Sequence, residues 1–272
     1  MRIMKYSIFM EAFGYTEHIR KTRSSSITKD EVINILKTNC KEFLKNPISK
    51  VYRGLGDNDS DYLLVKPSEH NRRSANTKNI YTLFIDNSYR WKGYPKRSKS
   101  IICTTNESTA SDYGFHFVVV PFDGAKFGVC PSHDIWFSFS EINDMGFNSN
   151  MDTFVYDLEV SDSDYESMKS DLEKLEKEII DKEGKVSFWT RHSKSRFASD
   201  FYNKHKENNI SLYEFIDELL DPKENGFYIS DYARISTHSD SEVWTDSNCL
   251  LISPRALKEI LNELNNNNQK TQ

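Results

Sequence analysis

Residues Ser163–Lys182 read SDYESMKSDLEKLEKEIIDK, and the period of their apolar side chains decides the fold class. Tyr165, Met168, Leu172, Leu175 and Ile179 recur at alternating spacings of three and four among Asp, Glu and Lys, which predicts one amphipathic helix with a single buried stripe. Gly184 is its expected stop. The stripe is shorter than three heptads, so packing within the chain accounts for it better than a coiled coil. Two further helices are predicted over Ser193–Glu207 and Ser211–Leu220, and in the second Ser211 and Glu214 have the spacing of a capping box.

Outward from this block the period changes. Upstream, Val32, Ile33, Leu36, Cys40, Phe43 and Leu44 predict a helix over Lys29–Leu44, with Thr28 as N-cap and Asn46-Pro47 as its end. Lys50–Leu55 follows as a short strand that carries Arg53. Tyr81–Asp86 fits a strand or a buried helix, and its period does not separate the two. Strands are predicted over Ser100–Thr105, Phe115–Pro121 and Lys126–Cys130, with a short helix over Ser108–Tyr113 and a turn at Asp123-Gly124. Strand character returns at Gly226–Ile235 and Glu242–Ile252. The order is β-rich, then helical, then β, and a helical insertion over 143–225 into a mainly β core explains it better than two successive domains. The expected class is α+β, with the Asn- and Gln-rich tail from Asn265 frayed.

A chain of 272 residues, 37% hydrophobic and 13% aromatic, can bury a sizeable core and is not disordered in composition. A formal net charge of -5 gives no general reason for sequence-independent binding to nucleic acid, although a local basic patch is compatible with it. Met1–Phe13 lacks the apolar core and cleavage site of a secretory signal, no run is long enough to span a membrane, and Cys40, Cys103, Cys130 and Cys249 are scattered. Reduced thiols in a cytoplasmic compartment are the expectation.

A P-loop, a Rossmann glycine fingerprint and HExxH are all absent. What remains is three polar stations at predicted strand ends: Tyr52-Arg53-Gly54, Cys103-Thr104-Thr105 and Asp240-Ser241-Glu242-Val243-Trp244. Together they suit an anionic dinucleotide attacked at a glycosidic carbon. Arg53 offers a planar fork of donors to phosphate, and Gly54 would let the ligand approach the backbone. The hydroxyls of Thr104 and Thr105 can orient a carboxylate or a ribose. Glu242 would stabilise the positive charge that develops on ribose as an N-glycosidic bond breaks. Each station alone has an ordinary reading: a surface Arg, β-propensity, an acidic pair on a solvated strand end.

Taken in order, the three resemble the motifs of mono-ADP-ribosyltransferases of the Arg, Ser-Thr-Ser, Glu-x-Glu type, a family that includes bacterial toxins, vertebrate ectoenzymes and enzymes of tailed phages. The likeness covers roughly residues 28–140 and 226–253 and extends to Ala110 and Tyr113 after the second station. Cys103 stands for the first Ser, and Asp240 for the first residue of the third motif. The resemblance implies a split β-sheet core with an inserted helical segment, and NAD as co-substrate. It implies Arg53 on the NAD phosphate or ribose, Thr104 as brace and Glu242 as the catalytic glutamate. Asp240 would help choose the acceptor, for which a protein arginine is the first expectation, with nucleic acid as another macromolecular acceptor. The compartment would be the host cytoplasm if the chain is phage-encoded.

Arg72 and Arg73, in the donor-rich run Asn71–Ser74, are further candidates for NAD phosphates or for the target. Tyr81, Tyr94, Phe115 and Trp136 could stack on a ring, though strand aromatics usually belong to the core. Tyr232 and Arg234 are candidates for target contact. Cys130 and His133 have no second pair at zinc spacing, so no metal is expected. Two other functions fit the same residues: an NAD glycohydrolase using Glu242, and an inactive module that holds a partner on the helical insertion.

Overall fold

A computed structural model describes residues 24–56, 59–73, 78–139, 142, 158–185, 192–237 and 239–270. Readings that fall on Met1–Phe13, on Ser74, on the Trp136 side chain and on residues 143–157 and 186–191 lie outside these residues. The chain divides into two compact units, one built from Met1–Asn71, Lys99–Gly128 and Ile229–Gln272, the other from Arg72–Ser98 and Val129–Tyr228.

Among the described residues the first unit is organised on a large antiparallel sheet of nine strands: β1 (Ser24–Ser26), β2 (Tyr52–Leu55), β3 (Tyr62–Val65), β4 (Ile101–Thr104), β5 (Phe115–Pro121), β6 (Lys126–Val129), β7 (Tyr228–Asp231), β8 (Glu242–Thr245) and β9 (Cys249–Ile252). Their order across the sheet is β1-β3-β9-β5-β2-β4-β8-β6-β7. Its helices are α1 (Lys29–Asn39), α2 (Lys41–Lys45), α4 (Glu107–Ser111) and α8 (Pro254–Lys270). Thr28 caps α1 in a full capping box with Glu31, so two backbone donors that the helix leaves open are satisfied. The predicted helix over Lys29–Leu44 is broken at Cys40, whose backbone at φ −124° and ψ 40° is not helical.

Val118 and Val120 of β5 and Leu250 and Ile252 of β9 pack with Val32, Leu36 and Phe43 of the first two helices and Leu257 and Ile260 of α8. Val119 and Leu251, which alternate with them, are buried as well. Strands covered on both faces read as continuous apolar runs, as these do. The tail expected to fray from Asn265 is helical through Lys270, continuing the part of α8 whose Leu257, Ile260 and Leu264 dock on this core. Sequence reading also missed β1, β3 and α8. The first of these is Ser-Ser-Ser, with no apolar signal, and exists only by pairing with Leu63–Val65 of β3.

The sheet is not evenly paired. β2 meets β5 through four residue pairs and β4 meets β8 through four, but β2 and β4 share the single pair Tyr52↔Thr104. Three residues, 246–248, carry the chain from β8 to β9, which lie four strand positions apart. Four spacings in a flat sheet are about 19 Å, whereas that connection reaches at most about 14 Å. The sheet therefore bends between β9 and β8, and the seam with one pair lies inside that interval. The thiols agree: Cys249 on β9 feels Cys103 on β4, three strands away.

The second unit holds α3 (Ile80–Asn87), α5 (Tyr165–Asp181), α6 (His192–Asn208) and α7 (Leu212–Leu219). Tyr81–Asp86, ambiguous by period, is helical. The long helix starts at an Asp164 N-cap, buries Met168, Leu172 and Ile179, and ends before Gly184 at φ 76°. The expected capping box at Ser211 and Glu214 is present. Phe84 stacks on Tyr213 at 5.1 Å, and Phe197 and Phe201 pack on Phe215. The loop after α3 is anchored by Trp91, which donates to the Leu220 carbonyl at 2.9 Å, and by Arg90, which pairs with Asp217 and Asp221. Among the described residues no helix is long and apolar enough to cross a membrane.

Candidate functional site

Three stations separated by up to 190 residues in sequence arrive on three adjacent strands, β2, β4 and β8. Tyr52 pairs with Thr104, and Thr104 with Glu242, so the three form one rung across the sheet. Directly opposed residues of antiparallel strands share a face. Tyr52, Thr104 and Glu242 thus leave the sheet on one side, while Arg53, Cys103 and Val243 leave on the other.

Arg53 sits where the ladder between β2 and β4 gives way. The Thr105 N–H donates to the Ser241 carbonyl at 3.0 Å, which sets the phase of the β4–β8 ladder. By alternation, 103 exchanges its bonds with β8 and the Ile102 carbonyl turns towards β2. No residue of β2 pairs with Ile102, and Nη1 of Arg53 donates to that carbonyl at 2.6 Å. The half-buried guanidinium therefore supplies across the seam the bond that a strand would have supplied.

Burial pushes the Cys103 thiol up to about 12; the positive charge of Arg53 opposes this and the negative charge of Glu242 adds to it. One buried sulfur thus lies within the field of both groups. Arg53 and Glu242 leave their strands on opposite faces of the sheet.

Asp240 is held by two hydroxyls. Its Oδ1 accepts from Thr104 Oγ1 at 3.2 Å and its Oδ2 from Thr109 Oγ1 at 3.0 Å. Thr104 Oγ1 also accepts from the Asn106 N–H at 3.1 Å. Thr105 is buried, donates its hydroxyl to the Ser239 carbonyl and accepts from the Ser241 N–H at 2.9 Å. It pins the loop that carries Asp240. Asn106 caps α4 by accepting from the Ser108 and Thr109 N–H groups, and so sets Thr109 beside Asp240. Sequence reading missed Thr109. The available signal was an Asn N-cap followed by hydroxyls in the first turn of a helix.

Gly54 makes room for a helix. A Cβ there would stand 2.0 Å from the Ala110 carbonyl and 2.7 Å from the Tyr113 Cβ, so the missing side chain admits α4 on that face. Arg72 and Arg73 belong to the other unit. Arg73 Nη2 donates to the carbonyls of Asp162 and Ser163 at 2.7 and 2.8 Å, and the Arg72 N–H to that of Ser98. Arg72 Nη1 is buried with no hydrogen-bond partner among the described residues. Tyr232 hydrogen-bonds the Lys50 N–H and the Ile48 carbonyl, and Arg234 pairs with Asp231. Among the described residues no group of three or more His, Cys, Asp and Glu could hold a metal ion.

No family model, no curated protein and no solved structure matches the chain.

Proposed function

We propose that the chain is a mono-ADP-ribosyltransferase that cleaves NAD at the nicotinamide glycosidic bond and transfers ADP-ribose to a macromolecule. The observation that carries this reading is the rung Tyr52, Thr104, Glu242 beside the seam that Arg53 crosses. A bend within the interval that holds the one-pair seam supports a split-sheet core, and the helical segment of the second unit would serve as the insertion.

In this reading Arg53 anchors a phosphate or ribose oxygen with its planar fork of donors. Glu242 accepts a hydrogen bond from a ribose hydroxyl and faces the ribose carbon as the bond to nicotinamide breaks. Its negative charge stabilises the oxocarbenium character that develops there. Thr104 and Thr109 hold both oxygens of Asp240, which leaves that carboxylate exposed at a fixed place. There it would orient an incoming guanidinium and help to take its proton, so arginine is the proposed acceptor.

The test is incubation with an NAD analogue labelled on the ADP-ribose half, in a cell lysate, with nicotinamide release followed in parallel. Glu242→Gln should lower both signals by about 100-fold or more, with the thermal unfolding midpoint unchanged. Nicotinamide release without labelled acceptor would identify a glycohydrolase. Absence of both from the native chain would refute the proposal.

A further inference from the structure

The stretch Asn87–Ser98, NSYRWKGYPKRS, holds four cations and three aromatics and no carboxylate, in a chain of net charge -5. Not all of the four cations face water. Arg97 is 1% exposed, and Arg90 is engaged by Asp217, Glu218 and Asp221. Lys92 and Lys96 are exposed. With them on one cavity wall is Tyr89, 82% exposed, more than any other large apolar side chain among the described residues. The Lys92 ammonium stands over its ring, 5.9 Å from the centroid.

These side chains line a cavity of about 300 Å³ formed by residues 85–96, with Trp91 and Tyr94 also on its wall. The loop that carries them is rigidly mounted. Trp91 is buried, donates to the Leu220 carbonyl and packs edge-on to Tyr94 and Phe227. The Tyr94 hydroxyl donates to the Phe227 carbonyl at 3.0 Å. Asp86 accepts from the N–H groups of Arg97 and Ser98, so the carboxylate in the wall is tied to backbone. Gly93, at φ 96°, makes the turn between the two lysines.

We propose that this cavity binds a nucleotide unit of a single-stranded nucleic acid, with the base stacked on Tyr89 and the phosphates on Lys92 and Lys96. An exposed aromatic with one ammonium over its ring and a second on the same cavity wall offers a base its open face and the backbone its counter-charge, which is how single strands are held without sequence preference. The cavity volume is at the lower end for ligand sites, enough for one nucleotide. An acidic peptide would satisfy the lysines but would leave the Tyr89 ring in water. The inference is independent of the proposed NAD chemistry, which uses residues of the other unit.

Fluorescence anisotropy of the full chain with fluorescein-labelled dT12 and U12 tests it, with UMP and polyglutamate as competitors. The strands should bind, and Tyr89→Ala should weaken them at least about fivefold while Tyr89→Trp preserves binding. Lys92→Gln with Lys96→Gln should reduce the slope of log affinity against log salt by about 1.4, two phosphates at about 0.7 each. Affinity that grows with strand length assigns the cavity to polynucleotide; displacement by UMP as readily as by unlabelled strand assigns it to free nucleotides. The proposal fails if neither strand binds at about 100 µM protein. It also fails if polyglutamate displaces the strand as well as unlabelled dT12 does, or if Tyr89→Ala binds like the native chain. Thermal unfolding of each variant verifies that these exposed substitutions leave the fold intact.

Discussion

Arg53 crosses the seam with one N–H on the Ile102 carbonyl, so its replacement should be read in two observables. Arg53→Lys keeps the charge but not the planar fork. It is expected to cost about 1.5–3 kcal/mol of stability, the range for a hydrogen bond to a charged group, and to raise KM for NAD in the proposed reaction. Urea unfolding separates the first effect from the second. The thiols give a pH prediction at the same scale. Burial raises Cys40 and Cys103 to about 12 and Cys249 well above the ordinary thiol value. In the unfolded chain these groups lose their protons near pH 9, while in the native chain they keep them. The unfolded state then binds fewer protons, so stability falls as pH rises from about 9 towards 12 and is unaffected below that window. Urea midpoints measured at pH 7.5 and pH 10 should differ accordingly, and Cys103→Ala should reduce the difference.

At the scale of elements, helix starts were the most legible features. Thr28 with Glu31 and Ser211 with Glu214 are local signals, and both form the capping boxes that their spacing implies. Thr28→Ala and Ser211→Ala should each cost about 1 kcal/mol, measured by chemical denaturation, with no change in the slope of the transition. Strands were legible where several residues alternate or run apolar, as in Phe115–Pro121. Tyr81–Asp86 could not be settled because a buried segment shows no period, and Cys40 interrupts its helix for a reason no local pattern announces. The site followed the same division. Glu242, Thr104 and Arg53 carried a signal in residue type and flanking pattern. The roles of Thr105, Thr109 and Gly54 depend on segments more than a hundred residues away or on a helix lying across a strand.

For the whole molecule, the second unit is assembled from two separate pieces of chain, 72–98 and 129–228. Phe84, Arg90 and Trp91 from the first piece hold Tyr213, Asp217, Leu220 and Asp221 from the second. Deleting Ser163–Asp221 would strip these residues of their partners and leave apolar surface in water. We expect such a chain to aggregate, whereas removing both pieces behind short linkers should leave the sheet unit soluble; soluble yield and circular dichroism distinguish the two. The sequence by itself determined the class, the starts of helices α1 and α7, the stripe of α5, the strands β2, β4 and β5 and the residue types on which the proposed chemistry rests, because these are set by neighbours within about one turn or one ladder step. Only the tertiary structure decided that β1 exists, that β2 and β4 part after one pair, that Arg53 bridges the gap and that Arg72 and Arg73 lie in another unit. Each of those outcomes depends on which distant segment supplies a hydrogen-bond partner or covers a face, and no local period records that.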